Sequence, residues 1–366
     1  MFRHLTFILC LFATASINAN ELQLPCWFNG ASANAGAMGM ARSLAVTDRE
    51  PILRSRYRAL QGLAAYIDTD AAFNQTYPSW RDIPIDAQSL NVSGQAVYFA
   101  DGFEWQGYRY SYAQVGEPVS ADQCPVQQCD LNACDPDWLC QPGIGGQAAF
   151  LGVSYRADTL PAQYRAALNN AIDQLAPVYG LTIRAKDRIY TGQISSGAIR
   201  LMFSDEQLTA QTQLDSSRLR YRTIASCRLG EQLFQRIEFP DLATLSTVPA
   251  QQWLRQPTAA GQLGAIGSVH GRVASGLISD KLKLAIRRGL IELAKAKYSH
   301  VEETLWNIEQ QGSSYQLSLL TQRSEVQLSA RVNGVHFSAS NDDVAVDVWV
   351  VETAQIPVAE KLAAGG

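Results

Sequence analysis

Three stretches of the chain carry apolar residues at helical spacing. Leu53, Tyr57, Leu60, Ala64 and Ile67 follow one another at steps of four, three, four and three, which predicts an amphipathic helix with Pro51 in its first turn. Ala167, Leu168, Ala171, Ile172, Leu175 and Ala176 form a second stripe after Thr159 and Pro161, and Gly180 is the expected stop. Leu282, Ala285, Ile286, Gly289, Leu290 and Leu293 form a third, for which Ser279-Asp280 reads as the cap. After each helix the period shortens towards two. Within 96–115, Tyr108, Tyr110 and Tyr112 alternate with Gly107, Arg109 and Ser111, and 218–239 takes the same place after the second helix. After the third helix it is 326–352, with Val344, Val346, Val348 and Val350 on one face and Asn341-Asp342-Asp343 as turn chemistry. The middle stretch carries extra material around 186–213.

An internal repeat accompanies this succession. Asp137-Trp138-Leu139-Cys140-Gln141-Pro142, Gly146-Gln147 and Phe150-Leu151-Gly152 return as Gln252-Trp253-Leu254-Arg255-Gln256-Pro257, Gly261-Gln262 and Ala265-Ile266-Gly267, at a constant offset of 115 residues. A looser copy, Pro25-Cys26-Trp27-Phe28 with Gly36-Ala37-Met38-Gly39, stands near the start. Trp27, Trp138 and Trp253, with Gly39, Gly152 and Gly267, are therefore expected to be structural anchors, one pair in each copy. Ala59, Ala171 and Gly289 each stand four residues before a Leu-Ala pair, and a small residue there would let helix and sheet approach closely. The expected fold is α+β: three tandem repeats of a small strand, helix and antiparallel hairpin module.

The order of Pro-x-Trp, spacer, apolar-Gly strand and helix with a small residue before Leu-Ala resembles the LPP-type small outer-membrane lipoproteins. That family includes lipoproteins associated with the bacterial flagellar basal body. The resemblance covers the Trp-to-helix part of each copy, here in three tandem copies and without a lipobox. It implies a small α+β envelope domain that works by assembly rather than catalysis.

Composition and targeting signals place the chain. It has 366 residues, 47% hydrophobic and 17% charged, a globular composition, with a net charge of -4. The mild acidity argues against nucleic-acid binding, which rests on clustered Lys and Arg. Arg3 and His4, an apolar run over 5–15 and Ala19 read as a cleaved signal peptide at 1–19, and Cys10 lacks the setting of a lipidation site. The expected boundaries are then a first repeat module at 20–120, a Cys-rich connector at 121–135, a second module at 136–248, a third at 249–356 and a flexible tail at 357–366. Six cysteines remain, Cys26, Cys124, Cys129, Cys134, Cys140 and Cys227, an even number that in an exported chain predicts disulfides. Six allow 15 pairings, and spacing does not choose among them.

Candidate chemistry is sparse. The sequence has no Gly-x-Ser-x-Gly elbow, no His-Glu-x-x-His and no phosphate loop, so neither catalytic residues nor a cofactor or metal is expected. Asp130, Asn132, Asp135 and Asp137 read as polar turns between cysteines, with calcium as the sharper alternative. Trp105, Tyr108, Tyr110 and Tyr112 could stack on glycan rings or pack on their own helix. Lys281, Lys283, Arg287 and Arg288 make the third helix basic, as a solvated face or a docking face for an acidic neighbour. The expectation is a non-enzymatic structural or adaptor protein, in the periplasm or peripheral at the outer membrane, with envelope protein partners or copies of itself. Flagellar assembly is the suggested setting, and a peptidoglycan- or glycan-binding module is the alternative.

Overall fold

A computed structural model describes residues 23–30, 35–143, 148–194, 197–209, 219–242, 250–258, 262–298, 300–310, 313–340 and 343–353. The signal peptide expected at 1–19 and the tail at 357–366 lie outside the described residues. The architecture is mixed α+β, with helices packed on antiparallel sheets.

The chain begins with β1 (Gln23–Pro25), a 3₁₀ turn at Cys26–Phe28 and β2 (Gly36–Arg42), followed by helices α1 (Arg49–Tyr66) and α2 (Asp70–Thr76). Strands β3 (Ser89–Val92), β4 (Gln95–Trp105) and β5 (Tyr108–Val115) complete an antiparallel sheet in the order β2-β5-β4-β3. Its first strand therefore pairs with its last. Helix α1 buries Ala59, Leu60, Leu63 and Ala64, the side predicted by spacing, against Val97 and Ala113. The connector holds β6 (Gln123–Pro125), which pairs with β1.

The next sheet repeats the closure of first strand on last. β7 (Ala149–Ser154) leads to α3 (Leu160–Ile172), whose start is capped by Thr159 Oγ1 accepting from the Ala162 N–H at 3.3 Å. A 3₁₀ turn follows, and Gly180 leaves it at φ +102°, a conformation suited to glycine. A long hairpin, β8 (Leu181–Ile194) and β9 (Gly197–Thr209), precedes β10 (Arg222–Leu229) and β11 (Gln232–Glu238), and the sheet order is β10-β11-β7.

The last part has α4 (Ala250–Trp253), β12 (Gly264–Val269) and α5 (Ile278–Lys297), then β13 (His300–Gln310), β14 (Ser313–Leu328), β15 (Ala330–Ser340) and β16 (Asp343–Glu352). Here the order is β12-β16-β15, again with the opening strand beside the closing one. Helix α5 starts at Ile278, so Ser279 and Asp280 lie in its first turn and no side chain caps it; the expected cap is corrected. The extra material expected around 186–213 is β8–β9, and its counterpart β13–β14 was not anticipated. The two hairpins join in a four-stranded sheet ordered β13-β14-β8-β9.

All three tryptophans are buried, and each meets a different neighbourhood. Trp27 stacks on Tyr112 at 5.3 Å, Trp138 enters the core shared with Leu151 and Phe337, and Trp253 stacks on Trp349 at 5.9 Å. The glycines play one part three times. A Cβ at Gly39 would collide with Ser55 O and Ala59 N, at Gly152 with Ala167 O, and at Gly267 with Ala285 O and Gly289 N. In each case a strand lies directly against the helix that follows it.

Candidate functional site

The cysteine connector is tied to both of its neighbours. Cys26–Cys124 closes the first part on itself, Cys129–Cys227 joins the connector to β10, and Cys134–Cys140 closes a short local loop. Backbone contacts run beside the bridges: the Cys129 N–H donates to Arg228 O at 2.8 Å, and the Ser226 N–H donates to Asn29 O at 2.6 Å. The connector also supplies core. Leu131, with Trp138 and Leu139 just after it, is buried with Phe234, Val335 and Phe337. Asp130 Oδ1 accepts from the N–H groups of Asn132 and Ala133, so the calcium candidate is built as a polar turn.

A second contact links the first two parts. Tyr66 of α1 donates its hydroxyl to Glu238 Oε1 at 3.0 Å, and Arg222 pairs with the same carboxylate at 2.9 Å while lying 4.9 Å over the Tyr66 ring. Glu238 is 2% exposed, and a buried charge with a paired and hydrogen-bonded partner fixes the orientation of the groups around it. Burial, more than any neighbouring charge, raises the pKa of Tyr66.

The tyrosine ladder is not an open surface. Tyr110 and Tyr112 are buried, and Phe28 meets the edge of Tyr110 at 5.4 Å while Phe103 stacks on it at 5.0 Å. Trp105 meets Phe28 edge-on at 5.1 Å, with the Arg228 guanidinium 5.2 Å above it. Burial drives the Tyr110 hydroxyl far above its ordinary pKa. Tyr110 and Tyr112 are thus withdrawn as glycan contacts; Trp105 and Tyr108 are half-buried, and Tyr108 lines open space.

The basic helix is divided. Lys281 is 1% exposed, and its ammonium pairs with Asp343 and donates to Val344 O at 2.8 Å, so its expected place on a docking face is corrected. Lys283, Arg287 and Arg288 are exposed; Lys283 pairs with Asp173 at 3.3 Å and Arg288 donates to Ser268 O at 2.6 Å. The Lys281 hydrogen bond holds the Asp343 carboxyl below the usual carboxylate range. A lowered carboxyl pKa stabilises the fold above its unfolded value, about 3.9, and that stability is lost as the pH falls through the folded value. Asp343→Asn should therefore lower the melting temperature at neutral pH and lose less than the parent between pH 5 and about pH 3. Equal melting of the two proteins at pH 7 would remove this pair from the account.

A cleft of about 700 Å³ lies between the first two parts, and no spacing in the sequence announces it. Arg42, Arg54, Arg58 and Arg165 reach it with Glu50, four cations against one anion. Its residues come from β2, α1, β5, α3, β10 and β11 and the loops beside them, so they meet only through the fold. Two of the arginines have internal work: Arg54 pairs with Glu50 at 2.6 Å, and Arg58 donates to Met40 O at 2.6 Å. No protein-family model matches the chain, and no curated protein matches it.

Proposed function

We propose that the protein is a non-enzymatic structural or adaptor component of a bacterial cell-envelope assembly. Three tandem copies of one strand, helix and hairpin module form it, after export to the periplasm. The observation that carries this reading is the doubly tied connector, with Cys26–Cys124 on one side and Cys129–Cys227 on the other. A covalent clamp between packed parts fixes their relative angle, which an assembly subunit needs and a tethered binder does not. The disulfides fit an oxidising compartment, and no helix of the described residues is long and apolar enough to cross a membrane. The three equivalent glycine contacts support the tandem arrangement. The LPP-type resemblance adds the flagellar basal body as one setting for the assembly.

The native mass of the purified mature chain tests this. Rings or other defined oligomers are expected. A monomer retained on peptidoglycan would replace the reading with the glycan-binding one, which has lost Tyr110 and Tyr112 as contacts.

A further inference from the structure

The loop 43–48 between β2 and α1 carries two apolar side chains that the rest of the molecule leaves uncovered. Leu44 is 94% and Val46 95% exposed, where the other exposed large apolar residues of the described chain reach at most 58%. A single exposed apolar residue is ordinary. These two stand two positions apart at the edge of the arginine cleft, whose lining includes Leu44 and Ala45.

The cleft beside the loop holds uncompensated positive charge. Arg54 and Arg58 lie one turn apart on α1, Arg42 ends β2, and Arg165 comes from α3. Glu50 offsets one of the four through its pair with Arg54. Arg58 bonds to the Met40 carbonyl, which has no net charge to cancel its own. Arg42 and Arg165 are exposed and make no ion pair or side-chain hydrogen bond among the described residues. Three positive charges thus remain around one concave space, and a cleft lined by one sign of charge concentrates ions of the other. A neutral donor adds to them. Gln235 of β11 is 1% exposed and lines the same cleft, yet its Nε2 has no hydrogen-bond partner among the described residues. A buried donor left unpaired is uncommon and calls for an acceptor. Guanidinium groups and a spare N–H donor are the complement of phosphate oxygens, and about 700 Å³ lies within the range of small-ligand sites.

We infer that the cleft binds the phosphate headgroup of an anionic membrane lipid, with Leu44 and Val46 entering the apolar layer beside it. Lipid is the occupant that uses both features. A free phosphate would engage the arginines and Gln235 and leave Leu44 and Val46 in water. An acidic protein would pair with the arginines, but the apolar residues of a protein interface form a contiguous patch, whereas these two stand out singly at nearly full exposure. At a membrane the guanidinium groups meet the phosphates and the apolar side chains reach the boundary with the acyl chains. Each contribution is weak alone, and stable attachment takes an apolar anchor together with a basic patch. One copy of the chain suffices for this contact, so lipid binding and assembly stand or fall separately.

Cosedimentation of the purified mature chain with vesicles tests the site. Phosphatidylethanolamine–phosphatidylglycerol vesicles should bind it at least about tenfold more tightly than phosphatidylcholine vesicles, and added salt should weaken the binding. Arg42→Gln and Arg165→Gln should each weaken it about fivefold. Leu44→Ser and Val46→Ser should each weaken it at least about fivefold, and Arg255→Gln, at an exposed cation of the last part, should leave it within about twofold. All five positions are exposed, so the variants should melt like the parent. Equal affinity for the two kinds of vesicle, or a loss in Arg255→Gln equal to that in Arg42→Gln, overturns the site. Glycerol phosphate, which is the headgroup without its chains, and poly-glutamate represent the other occupants. If either binds as tightly as the anionic vesicles, or if vesicle binding is indifferent to Leu44→Ser and Val46→Ser, the lipid is overturned in favour of a free phosphate or an acidic protein. A second measurement follows the loop itself. Leu44→Trp should add a fluorescence component that brominated lipid quenches, and quenching no greater than in the parent overturns the insertion.

Discussion

Replacing Cys129 and Cys227 together with alanine should destabilise the protein by about 4 to 5 kcal/mol. The two cysteines are 98 residues apart, and bridging a loop of that size removes unfolded-chain entropy worth about 4.7 kcal/mol for 100 residues in the entropic account. Removing Cys134–Cys140, six residues apart, should cost only about 2 kcal/mol by the same relation. Cys26–Cys124 spans 98 residues as well, but it closes the first part on itself, where β1 and β6 are already paired. Cys129–Cys227 is the bridge that ties the connector to β10 covalently, beside the backbone bonds between Gln127, Cys129 and Arg228, and both residues are buried, so its loss also leaves unfilled core. Urea unfolding of the three double-alanine variants measures the order. Limited proteolysis adds the mechanical consequence: cleavage between Ala121 and Pro142 should rise most in the Cys129–Cys227 variant. If that variant unfolds like the parent, Leu131, Trp138 and Leu139 hold the connector without help and the clamp fails as an explanation of rigidity.

Local rules carried the helices and the close approaches, because both are written within a few residues of chain. The 3.6-residue stripes place α1, α3 and α5 on their correct sides, and at the close approaches expected for Ala59, Ala171 and Gly289 the strand residues they meet are Gly39, Gly152 and Gly267. What failed depends on partners far away in sequence. Alternation puts Tyr110 and Tyr112 on one face of β5, but Phe28 and Trp27, from the start of the chain, are what cover that face. Lys281 looks like part of a basic helix surface until Asp343, 62 residues later, turns its ammonium inward. The hairpin β13–β14 was missed for a related reason. Tyr315, Leu317 and Leu319 stand at odd positions and Leu320, Val326 and Leu328 at even ones, so no single period of two runs through it. The basic cleft was out of reach altogether, since its arginines belong to separate elements.

Gly267→Ala should be among the most damaging single substitutions, whereas Gly62→Ala, the same chemical change, should be neutral or stabilising. At Gly267 the added Cβ would meet Ala285 O and Gly289 N, both backbone atoms of α5. Neither can rotate away as a side chain would, and α5 is held from its other residues by Leu282, Ile286, Leu290 and Leu293 in the core. The facing residue leaves no room either, because Gly289 itself lies 3.2 Å, measured from an added Cβ, from Gly267 N. Relief would require moving the helix off β12, and overpacking of this kind costs about 1–3 kcal/mol, more where backbone must shift. Gly62 is exposed in α1, and a Cβ there would find only Ala37 Cβ, at 3.4 Å. Alanine in a helix is favoured over glycine by about 1 kcal/mol. Gly39→Ala and Gly152→Ala meet Ser55 O and Ala167 O in the same way, so each should be destabilised with the sign of Gly267→Ala. Thermal and urea unfolding of the four variants gives the comparison. Three losses beside one gain would show that one strand-on-helix contact supports each part of the molecule, and a Gly267→Ala protein that melts like the parent would remove that contact as the reason for the repeated glycine.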